Sequence, residues 1–296
     1  MNLRRLIRTV GSYRKAYRNY LSVLLKVAIE RKLSYSGNNN AKLLLRSGRS
    51  LYVPYTWASV YARVINIENN NISELNLTND GLSFKYKGYP IVIDPSRFSE
   101  LDIVFFYEEY RYLNVKNKDV IDIGMNIGDS SIYFSINGAK RIIGLEPYPY
   151  AFSFAEKNVA VNDIHNIILV NAGYGKDSSI IVDPEGTSNT SSTLVARKIG
   201  KKIPILSLGS LIKQYDIHNA ILKMDCEGCE YALLSESDQI FENIEMIEVE
   251  YHYGYLTLVN KLKKCGFEIS YTEPRKIRNP EAENPNLETG YIYGEK

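Results

Sequence analysis

The run Asp119-Val-Ile-Asp-Ile-Gly-Met-Asn-Ile-Gly-Asp-Ser-Ser131 decides the fold. Val120, Ile121 and Ile123 form a short β-branched apolar stretch that reads as a buried parallel strand. Gly124 and Gly128 interrupt it, and Ser130 through Ile136 read as a helix. A strand, a glycine turn and a helix gather backbone N–H groups at a helix N-terminus, where a small polar or anionic ligand is held. Glycine at the bend lets the backbone turn sharply and approach that ligand.

Two ligands compete for such an element. A dinucleotide site has the pattern G-x-G-x-x-G, with the pyrophosphate against the helix. Here the pattern is Asp122-x-Gly124-x-Asn126-x-Gly128, and the second glycine of that fingerprint is absent. Asp122 stands at the strand end just before the first glycine. A carboxylate there suits a ligand with a positive group, such as the amino end of S-adenosylmethionine, and repels a pyrophosphate. The next strand, Arg141-Ile-Ile-Gly-Leu-Glu146, ends in an acid 22 residues past Gly124, where ribose hydroxyls of either cofactor would donate to it.

Working outward, the 296 residues leave room for one large domain or for a core domain with an extension. Hydrophobic content of 45% and charged content of 24% are those of an ordinary soluble globular protein. The net charge of +2 hides an asymmetry: residues 1–32 carry nine basic side chains against Glu30, so the remainder is net −6. No stretch approaches the ~18 apolar residues of a membrane-spanning helix, and Val23-Leu-Leu25 is interrupted by Lys26 with no small-residue cleavage site after it. The expectation is a cytoplasmic protein. Within residues 3–32, Leu3, Ile7, Val10, Tyr17, Leu21, Leu24 and Ala28 recur at helical spacing, with a break expected at Gly11. This arm reads as a helix docked with its charges solvated; contact with an anionic membrane surface or with nucleic acid is its alternative use.

Residues 34–40 read as a linker. Residues 34–100 read as a small α+β subdomain: strands at 42–45, 50–53, 81–86 and 91–94, a turn at Gly88-Tyr-Pro90, and a helix over 56–67. An amphipathic helix over 101–113 leads into the central strand. From residue 119 strand and helix alternate: strands at 120–123, 141–145, 166–171, 203–206, 220–225, 245–251 and 267–272, with helices at 130–136, 150–161, 208–215 (capped by Ser207), 230–235 and 255–265. Tyr291-Ile-Tyr293 is expected as an antiparallel edge strand closing the sheet. The fold class is α/β, a doubly wound, mostly parallel seven-stranded sheet over 101–296, preceded by the subdomain at 34–100 and the basic arm at 1–33.

Ligands of such sheets lie outside the carboxyl ends of the strands. Those ends carry Asp122, Glu146, Asn171, Asp225 with Glu227, and Glu250 with His252. Alternation puts Lys223 and Asp225 on one face of their strand, and a lysine inside a parallel strand is costly unless paired. Each of these pairs reads either as a structural ion pair or as an acceptor site facing the cofactor. Cys226-Glu-Gly-Cys229 sits between strand and helix, the setting of a redox C-x-x-C. Two small buried cysteines are the plainer reading, a local disulfide stays open, and no metal is expected, since only His252 and Cys265 could complete a zinc set.

Together these motifs resemble the FkbM family of S-adenosylmethionine-dependent methyltransferases. The resemblance rests on Val120-Ile-Asp-Ile-Gly-Met-Asn-Ile-Gly128, Gly144-Leu-Glu-Pro147, Leu222-Lys-Met-Asp-Cys-Glu-Gly-Cys-Glu230 and Ile247-Glu-Val-Glu-Tyr-His252, in the family's order and spacing. It covers residues 119–270, about half the chain, and Met125 stands where alanine is commoner. It implies a class I, Rossmann-like fold and methyl transfer to a hydroxyl of a sugar, glycolipid or other small metabolite. It also implies that Asp122, Gly124, Met125, Asn126 and Gly128 hold the methionine end of the cofactor. Glu146 and Pro147 would take the ribose side, and Asn171 and Ala172 the adenine. Asp225 or Glu227 is the expected base, steadied by Lys223, with His252 as the runner-up. No base-methylation motif (Asp/Asn)-Pro-Pro-(Tyr/Phe) follows the fourth strand, so nucleic acid is not the expected acceptor. An NAD-dependent oxidoreductase on the same fold and a non-catalytic binding protein are the alternatives. Oligomeric state is not legible.

Overall fold

A computed structural model of the chain describes residues 3–32, 40–94, 101–184, 196–278 and 286–296. Of the expected linker at 34–40, residues 34–39 lie outside the described residues. The chain forms two compact units, Met1–Glu109 and Tyr110–Lys296.

The first unit opens with helices α1 (Leu3–Ala16) and α2 (Tyr20–Lys32). They part at residues 17–19, not at Gly11. Tyr17 leaves the helix to bridge Leu45, the Arg18 N–H donates to the Leu44 carbonyl, and the Asn19 side chain brackets the strand through Lys42 and Leu44. Strands β1 (Asn40–Leu44) and β2 (Ser50–Pro54) form a hairpin, followed by α3 (Trp57–Val64). Strands β3 (Ile72–Leu77), β4 (Leu82–Tyr86) and β5 (Tyr89–Ile93) make an antiparallel sheet. Strand β3 has no counterpart in the sequence reading, and the expected turn residues Tyr89 and Pro90 belong to β5.

Residues 101–113 are not one helix. A π-helical turn (Asp102–Phe106) and a 3-10 turn (Glu109–Tyr112) flank Glu108, whose φ is +51°. Glu108 is held there by hydrogen bonds from Asn71 and Tyr86, and Asp102 by Arg63, so residues 101–109 cluster with the first unit.

The second unit runs β6 (Asp119–Ile123), α4 (Asp129–Ile136), β7 (Arg141–Leu145), α5 (Pro149–Val161) and β8 (Ile167–Val170). Next come β9 (Gly173–Tyr174), β10 (Ser178–Val182), β11 (Lys201–Leu206) and α6 (Leu208–Tyr215). Ser207 caps α6 by accepting from the Ser210 N–H. Strand β12 (Ala220–Met224) leads into a 3-10 helix (Cys229–Ser235), where an α-helix was expected, and β13 (Ile244–Tyr251) into α7 (Leu256–Lys264). Strands β14 (Glu268–Tyr271), β15 (Arg275–Arg278) and β16 (Asn286–Glu295) complete the chain.

Seven strands lie in the order β14-β16-β13-β12-β6-β7-β8, and β15 pairs with β16 off that path. The five from β13 to β8 are parallel to their neighbours, whereas β16 is antiparallel to β13 and β14. Strand β16 is therefore interior, not the expected edge. Its glycines make this possible. A Cβ on Gly294 would come within 2.7 Å of Ile269 and 2.8 Å of Ile247, one from each flanking strand. Strand β6 is the third of the five parallel strands, with Val120, Ile121 and Ile123 buried, which explains its unbroken apolar run. Among the described residues no helix is long and apolar enough to cross a membrane.

Candidate functional site

Strand β6 delivers the chain to Gly124, where φ is +79°. A Cβ there would overlap the Asp225 carbonyl oxygen, so only glycine allows the bend to press against the end of β12. The N–H groups of Gly124 and Met125 both donate to the Leu145 carbonyl (3.0 Å each). Met125 is fully buried, and its sulfur fills the space above Gly144. Asn126, also left-handed at φ +49°, donates its N–H to Glu146 Oε2 at 3.1 Å.

Asp122 points inward. It is fully buried, its Oδ2 accepts from the hydroxyls of Ser130 and Ser131 (2.7 Å each), and its Oδ1 lies 3.0 Å from Lys223 Nζ. The ammonium of Lys223 also donates to the Gly124 carbonyl at 2.8 Å. Burial works against that charge, but Asp122 and then Asp225 outweigh it and raise the Lys223 pKa. Lys223 thus bonds to the β6 strand and the glycine bend, not to the Asp225–Glu227 pair it was expected to steady. The register Lys223↔Asp122 between β12 and β6 brings the two side by side.

Beyond the bend lies a cavity of about 200 Å³. Gly124, Leu145, Pro147, Ala172 and Tyr174 line it on one side, and Cys226, Gly228 and Cys229 on the other. Glu146 is buried beside it, with Oε2 on the Asn126 N–H and Oε1 on the Tyr148 N–H (2.8 Å). Burial pushes its carboxyl up to about 8 against those two hydrogen bonds. Asn171 donates to the carbonyls of Glu146 and Pro147 at 2.9 and 3.2 Å, fixing the turn after β7.

The turn after β12 carries the other charged group. His252, at the end of β13, is buried between two carboxylates: Nδ1 lies 3.0 Å from Glu230 Oε1, and Nε2 lies 3.1 Å from Glu227 Oε2. Glu230 is fully buried and also accepts from the N–H groups of His252 (2.9 Å) and Gly228 (2.8 Å). Burial alone would lower the imidazole pKa, but the bonds to Glu227 and Glu230 push it up to about 12. Both ring nitrogens are taken up by carboxylates, a setting that favours the imidazolium over the free base its expected role as a reserve base needs. Burial raises the Glu227 carboxyl, with the His252 bond opposing. Asp225, Glu227 and His252 bring one ligand-capable atom each within 4.8 Å of one another. Cys226 and Cys229 are joined as a disulfide, the pairing the sequence left open.

The sequence reading missed Ser130 and Ser131 as partners of Asp122, Glu230 as the anchor of His252, and Tyr174 in the cavity wall. Glu230 had a signal: an acid two residues past Gly228, whose N–H is exposed by a left-handed turn.

A sheet of this order, bent at Gly124 and hollow at its carboxyl edge, has the form of a class I methyltransferase. The family described as the methyltransferase FkbM domain matches residues 122–269, half of the chain, and the chain belongs to that family, with S-adenosylmethionine as cofactor. A curated protein of Methanocaldococcus jannaschii, named as a candidate protein N5-glutamine methyltransferase, is 36% identical over 81 residues, 27% of this chain and 38% of its own. The chain thus spans under two fifths of that relative's length. Among solved structures, an FkbM methyltransferase from Methylobacillus flagellatus is 14% identical with a TM-score of 0.43, covering 67% of this chain and 48% of its own. The M. jannaschii tRNA m1G37 methyltransferase is 17% identical with a TM-score of 0.40, covering 77% and 55%. M. jannaschii TYW2 in complex with AdoMet is 15% identical with a TM-score of 0.39, covering 73% and 85%. The curated relative corrects the expected acceptor: it is named for a glutamine of a protein, against the carbohydrate, glycolipid or other small molecule expected from the sequence.

Proposed function

We propose that this methyltransferase acts on a nitrogen of a protein side chain, an amide or amine N–H presented to Asp225 and Glu227. The observation that carries the reading is the setting of His252: both ring nitrogens are engaged by the carboxylates of Glu230 and Glu227, so the remaining proton acceptors of the turn after β12 are carboxylates. Two carboxylates accept N–H donors, orient the nitrogen lone pair away from themselves, and take the proton released as the N–C bond forms. Burial raises the Glu227 carboxyl and favours its holding that proton, and His252 fixes one of its oxygens at 3.1 Å.

The bend and the cavity wall fit the cofactor. The backbone at Gly124 and Asn126 would take its methionine end, with Met125 and Gly128 shaping the turn. Pro147 and Ala172 offer apolar surface for a flat base, and Glu146 and Asn171 stand at the ribose side. Asp122 serves through the fold: it neutralises Lys223, whose ammonium holds the Gly124 carbonyl in place. When bound, the cofactor supplies an electrophilic methyl on a sulfonium. The work left to the protein is alignment and removal of a proton.

A second reading, a nucleic-acid base as acceptor, is favoured by one observation: residues 1–109 hold 16 basic against 9 acidic side chains. Incubation of the protein with methyl-labelled S-adenosylmethionine and a cell extract, followed by peptide and nucleoside mass spectrometry, separates the two. Methylated glutamine or lysine in peptides is expected, and label confined to nucleosides would establish the second reading. Asp225→Asn and Glu227→Gln should each slow transfer by about 10²-fold or more, with calorimetric cofactor binding retained. Unchanged turnover in both would remove the base assignment.

A further inference from the structure

The Cys226–Cys229 disulfide is unused by the chemistry above, yet its placement ties it to both halves of the site. Both cysteines line the 200 Å³ cavity and are partly exposed. The two residues they enclose are Glu227 and Gly228, both left-handed, at φ +56° and +112°. A left-handed glutamate is strained, whereas the glycine beside it is not. The turn is held by the disulfide, by the Cys229 N–H on the Cys226 carbonyl at a long 3.4 Å, by the Gly228 N–H on Glu230, and by the Glu227 carboxylate on His252, among other contacts. The disulfide is the only covalent one.

We propose that Cys226–Cys229 is a reversible redox switch: a dithiol reductant breaks the disulfide and lowers methyl transfer, and reoxidation re-forms it and restores transfer. Resting on the proposed role of Glu227, this assigns a regulator to the same turn. In the reducing step a thiolate of the dithiol attacks one cysteine sulfur and expels the other as a thiolate, which takes up a proton. The second thiol of the reductant then resolves the mixed disulfide. The protein gains two electrons and two protons as two thiols, and the dithiol leaves as its cyclic disulfide. Freed of the crosslink, Glu227 relaxes out of the left-handed region and its carboxylate leaves His252. The wall that Cys226 and Cys229 give the cavity loosens with it.

The test uses the full-length protein poised in mixtures of reduced and oxidised dithiothreitol. Alkylation and mass measurement should count one accessible thiol (Cys265) in the oxidised form and three in the reduced form. Hydrogen exchange at residues 226–230 should accelerate on reduction. Transfer to the extract's acceptors should fall by roughly fivefold or more, the population change expected when a strained turn is released. Cys226→Ser with Cys229→Ser should show the reduced-state exchange rate in both buffers, and Cys265→Ser should respond like the wild type. A disulfide that dithiothreitol does not open, or exchange and turnover identical in the two forms, would overturn the proposal. If no acceptor is methylated in either state while exchange at 226–230 still follows the thiol count, the redox site stands and the assignment of Glu227 falls.

Discussion

Lys223 is an ammonium with 1% exposure in the interior of a parallel sheet, and Asp122 on the adjoining strand makes that tolerable. Breaking such a pair from one side leaves an uncompensated buried charge. Asp122→Asn is therefore expected to lower stability by about 3–5 kcal/mol, read from urea denaturation. Adding Lys223→Met should restore part of the loss, since it removes the orphaned charge. A single variant as stable as the wild type would show that the ammonium finds another partner. At His252 the question is protonation. An imidazolium flanked by Glu227 and Glu230 should keep its proton past pH 9, so its ring carbon resonances should not titrate between pH 6 and 9. Glu230→Gln, which removes one of the two charges, should lower the midpoint. A wild-type midpoint near 6.5 would return His252 to the list of bases.

At the level of elements, the glycines of β16 let a ten-residue strand sit between β13 and β14. Gly294→Val would drive a branched side chain into Ile247 and Ile269 and should destabilise by about 1–3 kcal/mol, as overpacked sites do. The insertion of β16 was not legible, because Tyr291-Ile-Tyr293 announces a strand but not its neighbours. Similarly, the residues around Asp122 showed strand, bend and helix plainly, since β-branched runs and glycines act locally. The partner of its carboxylate depends on β12 lying against β6, which no local pattern encodes. Strand β3 hid behind polar residues: Ser73, Glu74 and Asn76 lie at a register shift, with Glu74 at φ +55°. The aromatic run at 101–113 imitated an amphipathic helix because hydrophobic spacing does not show that Glu108 is pulled aside by Asn71 and Tyr86.

Over the whole molecule, the second unit carries Glu146, Asp129 and His252 as buried titratable groups, and this fixes how stability depends on pH. Folding raises Glu146 from an ordinary 4.5 to about 8, Asp129 from 3.8 to about 7 and His252 from 6.5 to about 12, burial being the first cause for the two acids and the flanking carboxylates for the histidine. In each case the folded chain keeps a proton that the unfolded chain releases. The stabilisation is complete below the unfolded value and is lost as pH rises through the folded one. Each retained proton contributes a slope of about −1.4 kcal/mol per pH unit within its window. The windows of the two acids overlap between pH 4.5 and 7. Asp238 works the other way: hydrogen bonds from Lys261 and Lys264 lower it to about 2, so its contribution fades only in strong acid. The urea midpoint should therefore be highest in mild acid and fall steadily from pH 5 to 8. Glu146→Gln, neutral at every pH, should flatten that fall without moving the acid limb. A midpoint that rises across the same range would mean that Glu146 and Asp129 are ionised in the folded protein, and that the hydrogen bonds from Asn126, Tyr148 and Ser130 outweigh their burial.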